Sequence, residues 1–264
     1  MTALRHALRW ALAAAALAGG ARAADPGTRP LTPREIEAGW RLLWDGRTTR
    51  GWRSVSGPAF PERDWRIRDG VLTSIPPGGG AHPGGDIITV DRYADFELMA
   101  DFKVTPGANS GIKIFVDPER NRVPGASIGL EYQILDDALN ADARAGRDGN
   151  RSLGSLYDLY APARDKRPSP VGDWNTALIV SQGPRVEHWL NGRKILEYTR
   201  GAPEFRERVM QSKFRSVPGF GELRTGHILL QHHGDEVSFR NIKIRELPAG
   251  TDAPEPEAKN PKSL

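Results

Sequence analysis

Ser127-Ile128-Gly129-Leu130-Glu131-Tyr132-Gln133-Ile134-Leu135-Asp136-Asp137 is the stretch whose reading decides the fold. Side chains alternate across a strand with a period of two, so Glu131, Gln133 and Leu135 face one way while Leu130, Tyr132 and Ile134 face the other. One face reads as core, and the other carries a carboxylate and an amide. Taken alone, this is the pattern of any amphipathic strand with its polar face in water. It gains weight because other strands in the chain also carry polar groups, as the lining of a concave sheet would.

Working outward, Asn109-Ser110-Gly111-Ile112-Lys113-Ile114-Phe115-Val116 leaves a turn and enters a strand with Ile112, Ile114 and Val116 on one face and Lys113 on the other. A Lys between apolar neighbours is ordinarily a snorkelling edge residue. Tyr93 to Val104 alternates in the same way, with one wet face. Asp69-Gly70 and Asn191-Gly192 mark hairpins, since the type I′ turn that joins two strands needs positive φ at both central residues and Asp-Gly and Asn-Gly adopt it readily. Gly226–Gly234 and Val237–Ile244 read as a closing hairpin, and Leu153–Tyr160 as a strand or edge. Thr32–Gly39 carries the cap, proline and acids of a short helix, and Glu204–Phe214 reads as a second, with Lys213 at its end. Four tryptophans fall between residues 40 and 65, as core packing or as platforms for sugar rings. With 29 Gly, 21 Pro and short β runs between turn signals, the chain is expected to be all-β: a two-sheet antiparallel sandwich with one or two short helices. No repeat of propeller or solenoid length is present.

The ends have a different character. Residues 1–23 read as an export signal: Arg5 and Arg9 precede a short apolar run, and Ala21-Arg22-Ala23 offers a cleavage site. The apolar run is far shorter than the roughly 20 residues a membrane span needs. The chain has no Cys, so neither a lipid-bearing Cys nor a disulfide framework is available. The expectation is a periplasmic or secreted protein with no membrane anchor. Residues 24–37 form a leader with its short helix, 38–247 one domain, and 248–264 a disordered tail. Without the three arginines of the signal, 34 basic residues stand against 33 acidic ones, well interleaved. That balance argues against nucleic acid as a partner.

Several segments, taken in order, are specific as a set. They are Asn109-Ser110-Gly111-Ile112-Lys113, Gly129 to Asp136, Leu156-Tyr157-Asp158-Leu159, Gly172-Asp173-Trp174-Asn175, Val186 to Gly192, Ser212-Lys213-Phe214, Leu230 to Gly234 and Phe239-Arg240-Asn241-Ile242. Together they resemble the 3-keto-disaccharide hydrolase domain family over about residues 38–247. The resemblance implies a concanavalin-like jelly roll, often secreted, that acts on oxidised glycosides. Two positions depart from the family pattern: Asn140-Ala141-Asp142 stands where a His-Pro-Asp segment is usual, and His232 where an Asp precedes the His.

The chemistry so implied can be stated from first principles. A ketone at carbon 3 of a sugar acidifies the hydrogen on carbon 2, so the bond at carbon 1 can break by proton abstraction and elimination, followed by addition of water. Such a site needs a base, an enolate stabiliser and an acid for the leaving oxygen. Glu131 or His233 is the candidate base and Lys113 the stabiliser. His188 or Tyr157 is the candidate acid. Asn109, Gln133, Asn175 and Gln231 are suited to sugar hydroxyls, with Asp136 and Lys213 as further binding residues. No cofactor is called for, although Glu131, Asp136 and His233 would suit a divalent ion if they came together. The partner is then an oxidised glycoside or oligosaccharide, and oligomeric state is left open. Two rival readings stand beside this one. A non-catalytic carbohydrate-binding module would not need Lys113, Glu131 and His233 to converge. A retaining glucanase would need a second carboxylate within about 5.5 Å of Glu131.

Overall fold

The computed structural model describes residues 27–76, 85–120, 122–123 and 126–250. The segment read as an export signal, residues 77–84 and most of the segment read as a disordered tail lie outside them.

In chain order the elements are helix α1 (Pro33–Glu37) and strands β1 (Arg41–Leu42), β2 (Trp52–Ser54), β3 (Trp65–Arg68), β4 (Val71–Ser74), β5 (Ile87–Thr89), β6 (Phe96–Val104) and β7 (Asn109–Val116). There follow β8 (Arg122–Val123), β9 (Ala126–Ser127), β10 (Leu130–Leu135), α2 (Asp142–Ala145), β11 (Asn175–Gln182), β12 (Arg185–Leu190) and β13 (Arg193–Thr199). The chain continues through α3 (Pro203–Met210), a 3-10 turn (Lys213–Ser216), β14 (His227–Leu230) and β15 (Val237–Glu246). One sheet runs β13-β12-β11-β6-β15-β4-β3, with β1 beside β15, and the other runs β10-β7-β14-β5-β2. All named pairings are antiparallel, giving the expected two-sheet jelly-roll sandwich.

The hairpin signals act as written. Asp69 and Gly70 have φ of 51° and 73°, and Asn191 and Gly192 49° and 78°, so both turns have the hand that matches strand twist. β6 alternates buried and half-buried along all nine residues, as its sequence predicts. Between the sheets lie Phe96, Phe102, Ile112, Ile114, Tyr132, Ile134 and Phe239, each at most 1% exposed. Each such side chain contributes about 1.5–3 kcal/mol from burial. Trp44, Trp52 and Trp65 join this core, and their indole N–H groups donate to the carbonyls of Thr48, Leu43 and Gly85. These three tryptophans are packing residues, not sugar platforms.

Three expectations are corrected. β14 and β15 do not form a hairpin: β14 pairs with β7 and β5 in one sheet and β15 with β6, β4 and β1 in the other, so residues 231–236 carry the chain between sheets. Val116 does not share a face with Ile112 and Ile114. Phe115 has φ of 57°, which breaks the alternation and sends Val116 to a separate cluster with Ile88 and Leu229 on the far side of the sheet. Finally, α3 stops at Met210. The Ser212 hydroxyl donates to the Val209 carbonyl and accepts from the Phe214 N–H, ending the helix and starting a new turn, so that Lys213 opens an element where it was expected to close one.

Candidate active site

β10 lies at the edge of its sheet, yet all six of its residues are buried, as are all eight of β7. The polar face is therefore covered, not washed by water. Part of the cover comes from Gly154–Tyr157, which runs along β10: the Gly154 N–H donates to the Gln133 carbonyl, the Gln133 N–H to Ser155, and the Tyr157 N–H to the Glu131 carbonyl. This segment extends the sheet and sets Tyr157 beside Glu131.

Antiparallel register places Glu131 opposite Lys113. Leu130 and Tyr132, Ile112 and Ile114 point between the sheets, so by alternation this pair points away from the core. Glu131 Oε2 lies 3.5 Å from Lys113 Nζ, with the residues 6% and 7% exposed. Gln231 joins them from the end of β14. With its amide turned to satisfy both, its nitrogen donates to Glu131 Oε1 and its oxygen accepts from Lys113 Nζ, each at 3.2 Å. Lys113 also donates to the Ser127 carbonyl at 3.0 Å, the Ser127 hydroxyl to Asp86 at 2.8 Å, and the other Asp86 oxygen accepts the His232 N–H at 2.8 Å. The ammonium is thus aimed by a chain of bonds that reaches the neighbouring strand. Gly111 is required here, because a Cβ at that position would collide with Glu131 Oε1.

Beside this pair, Gln133 Nε2 donates to Asn109 Oδ1 at 3.2 Å. Gln133 Oε1 and Ser155 Oγ, buried on adjacent segments, have no hydrogen-bond partner. Such acceptors and donors left open suit sugar hydroxyls.

On the other side stands a basic wall. Lys213 Nζ sits 4.2 Å from the centre of the Tyr157 ring, and the Arg151 guanidinium 5.3 Å from it. Arg151 is held by Asp158 at 2.8 Å and Asp142 at 2.9 Å. Asp158 has φ of 63° and also accepts the Lys213 backbone N–H at 2.8 Å, so one carboxylate on a strained backbone holds the Arg151 guanidinium and the main chain that carries Lys213. Burial pushes the Tyr157 phenol well above its ordinary value, and the hydrogen-bonded Asp142 carboxylate adds to the rise. Burial lowers the Lys213 ammonium from its ordinary value, opposed by Glu131 and reinforced by Lys113.

Seven expected residues come together in this way: Lys113, Glu131, Gln231, Gln133, Asn109, Tyr157 and Lys213. Four do not. His188 lies in the core, 1% exposed, against Tyr132 with ring centres 4.8 Å apart, and its Nδ1–H donates to the Gly154 carbonyl at 3.0 Å. Burial lowers its pKa to about 4, so it is a neutral packing residue and not an acid for a leaving group. Asn175 sits on the other sheet, where Oδ1 accepts from the Ser169 N–H and the Asn191 amide, bracing a loop. Asp136 spends its oxygens on the N–H groups of Gly107, Ala138 and Leu139, capping the turn after β10. Although burial alone would raise its pKa, those bonds hold it below the ordinary value. His233 is exposed in the corner after β14, and no bond ties it to the Lys113–Glu131 pair. Among the described residues no three His, Asp or Glu side chains gather as a metal site would, so Glu131, Asp136 and His233 do not form the set considered above.

The residues that reading the sequence missed are Arg151, Asp142, Asp158, Ser127 and Asp86. Asp158 carries a signal in the Leu156-Tyr157-Asp158-Leu159 family segment, Asp142 stands in the Asn140-Ala141-Asp142 departure and Ser127 opens the stretch that decides the fold; Arg151 and Asp86 look like ordinary loop residues until the chain is folded.

Against this geometry, comparison with known proteins is decisive. Residues 39–245 match the family described as the 3-keto-alpha-glucoside-1,2-lyase-like domain. The chain belongs to this family. A 3-keto-disaccharide hydrolase of Bacteroides thetaiotaomicron is 35% identical over 230 residues, covering 79% of each chain. Two solved structures of candidate glycosyl hydrolases from Parabacteroides distasonis are similar throughout. One is 30% identical with a TM-score of 0.72, covering 84% of this chain and all of its own; the other is 28% identical with a TM-score of 0.58, covering 79% and 99%. As a member of the 3-keto-glucoside lyase-like family, the chain is a carbohydrate-active, glycoside-cleaving enzyme. The two positions at which it departs from the family pattern have local roles here. Asn140 donates to the Gly107 carbonyl at 2.8 Å, and His232 packs edge-on to Trp65 with Nε2 donating to the Ile75 carbonyl at 2.9 Å.

Proposed function

We propose that the enzyme cleaves 3-keto-glycosides, 3-keto-disaccharides among them, by abstraction of the hydrogen on carbon 2. The observation that carries this reading is the Glu131–Lys113 pair: a carboxylate and an ammonium side by side, buried, and aimed away from the core. Glu131 takes the proton from carbon 2. The electron pair passes into the carbon 3 carbonyl, and the enolate oxygen is stabilised by the Lys113 ammonium. The enolate then returns its electrons to form the bond between carbons 1 and 2, expelling the group on carbon 1, whose oxygen receives a proton from the Tyr157 hydroxyl. Water adds to carbon 1 of the resulting enone, giving a proton back to the Tyr157 phenolate, while carbon 2 recovers the proton held on Glu131. Low dielectric around the pair strengthens each of these interactions.

A retaining glucanase is not supported, since Gln133 and the turn-capping Asp136 leave Glu131 without a partner carboxylate on its strand. The reading is tested by incubating the protein with a 3-keto-disaccharide and with its unoxidised parent. Cleavage of the keto compound alone supports elimination, and equal cleavage of both contradicts it. We propose also that the protein is exported and trimmed near Ala23, which N-terminal sequencing of the protein from cells will check; an intact Met1 on a cytoplasmic species refutes it.

A further inference from the structure

Beside the site lies an open cleft of ≈ 490 Å³ whose walls include Arg147, Arg151, Lys213, Arg215, Asp158 and Gln211. That volume is within the usual range of about 300–1,000 Å³ for small-molecule sites. Its charge is unbalanced. Arg151 is matched by Asp158 and Asp142, but the Arg147, Lys213 and Arg215 side chains make no ion pair among the described residues. Arg147 gives its guanidinium to Gln211, at 3.1 Å to the side-chain oxygen and 2.9 Å to the carbonyl, and both acceptors are neutral. The Lys213 and Arg215 side chains have no hydrogen bond or ion pair among the described residues.

Lys213 also connects this cleft to the reacting centre. It lines the cleft and lies over the Tyr157 ring, and Tyr157 is bonded through its backbone to Glu131. A glycoside whose oxidised ring rests on Lys113 and Glu131, with Tyr157 at its leaving oxygen, therefore directs its leaving group past Lys213 into the cleft.

We propose that this cleft is a subsite for an oxyanion carried on the leaving group: a uronic acid carboxylate, or a sulfate or phosphate ester. The inference rests on the functional reading above for which end of the substrate enters the cleft. Arg147, Lys213 and Arg215 supply the charge, and two guanidinium groups supply the forked donors that oxyanions favour. Burial lowers the Lys213 ammonium, Glu131 and Asp158 oppose that shift and Lys113 and Arg151 reinforce it, so an arriving anion would add to the groups that favour the charged form.

The test measures binding by calorimetry, using unoxidised disaccharides so that no turnover intervenes. Four ligands are compared: a neutral disaccharide, and the same disaccharide bearing a carboxylate, a sulfate or a phosphate on the leaving sugar. At least one anionic ligand is expected to bind about tenfold more tightly than the neutral one, with the advantage shrinking as salt is raised. The ligand that gains identifies the group. Arg147→Gln combined with Arg215→Gln should remove the advantage and leave neutral binding unchanged. Because Arg147 anchors Gln211, Arg215→Glu alone provides a second variant that spares that contact, and it should diminish the advantage by itself. Equal binding of all four ligands, or an advantage untouched by Arg215→Glu, overturns the subsite. Failure of the protein to cleave any 3-keto compound would instead count against the proposed reaction, and the binding comparison would still be read on its own terms.

Discussion

Glu131 and Lys113 stand opposite each other on adjacent antiparallel strands, Oε2 to Nζ 3.5 Å apart, each almost wholly buried and each turned away from the core. A buried ion pair is seldom an efficient way to stabilise a sandwich, since desolvation offsets most of the attraction. Its presence on a covered face, with Gln231 bridging both partners, is better explained by chemistry than by stability.

Removing one partner should therefore affect both properties. Lys113→Met leaves the Glu131 carboxylate buried without its cation, a change that typically costs about 3–5 kcal/mol. Turnover should fall together with stability. Lys113→Met combined with Glu131→Leu should recover much of the stability with no activity, as measured by denaturant unfolding and by assay. Recovery of activity in the double variant would contradict the assigned roles.

Gly111→Ala tests positioning without altering a charge. The added methyl must displace Glu131 Oε1, while Gly111 has an ordinary backbone conformation that Ala can adopt. The expected result is a loss of kcat of roughly 100-fold, the cost of misplacing a catalytic group by about 1 Å, with KM little changed. Full activity would show that Glu131 need not hold its present place.

His188 offers a pH test. Its folded pKa of about 4 lies below the ordinary 6.5 because burial disfavours the charged ring. The unfolded chain then binds the extra proton between those values, so stability is fully present above about pH 6.5 and is lost as pH falls towards 4. The loss attributable to this residue is roughly 3 kcal/mol. His188→Gln should flatten that part of the stability profile, measured by urea unfolding at pH 7 and pH 4.5, while kcat/KM at pH 7 per folded molecule changes little. A large, selective loss of kcat would restore His188 to the reaction.

Much of this architecture was legible because local rules determine it. Asp69-Gly70 and Asn191-Gly192 can hardly be anything but tight turns, and the period of two along residues 130–135 assigned Glu131 and Gln133 to the face opposite Tyr132. Periodicity says that a segment is a strand but not which sheet receives it, so β14 and β15 looked like a hairpin although they belong to different layers. Irregularities hide sidedness in the same way. Phe115 at positive φ reversed Val116, and a register shift between His188 and Trp189 obscures which way His188 points. Asp136 and Asn175 were misjudged for a related reason: a buried polar side chain that caps a turn or braces a loop has the same composition as one that binds sugar, and only its bonds tell them apart.

The most direct measurement is isotopic. A 3-keto-disaccharide is cleaved in heavy water by the wild-type protein and by Glu131→Gln, and deuterium at carbon 2 of the keto sugar is followed by mass spectrometry, with free product as the control for spontaneous exchange. The wild type should cleave and place deuterium at carbon 2 beyond the control. Glu131→Gln, still folded, should lose both cleavage and exchange by about 100- to 10,000-fold, the usual contribution of a general base. Cleavage by the wild type with no deuterium at carbon 2, or a Glu131→Gln variant that exchanges and cleaves at the wild-type rate, would contradict proton abstraction by Glu131.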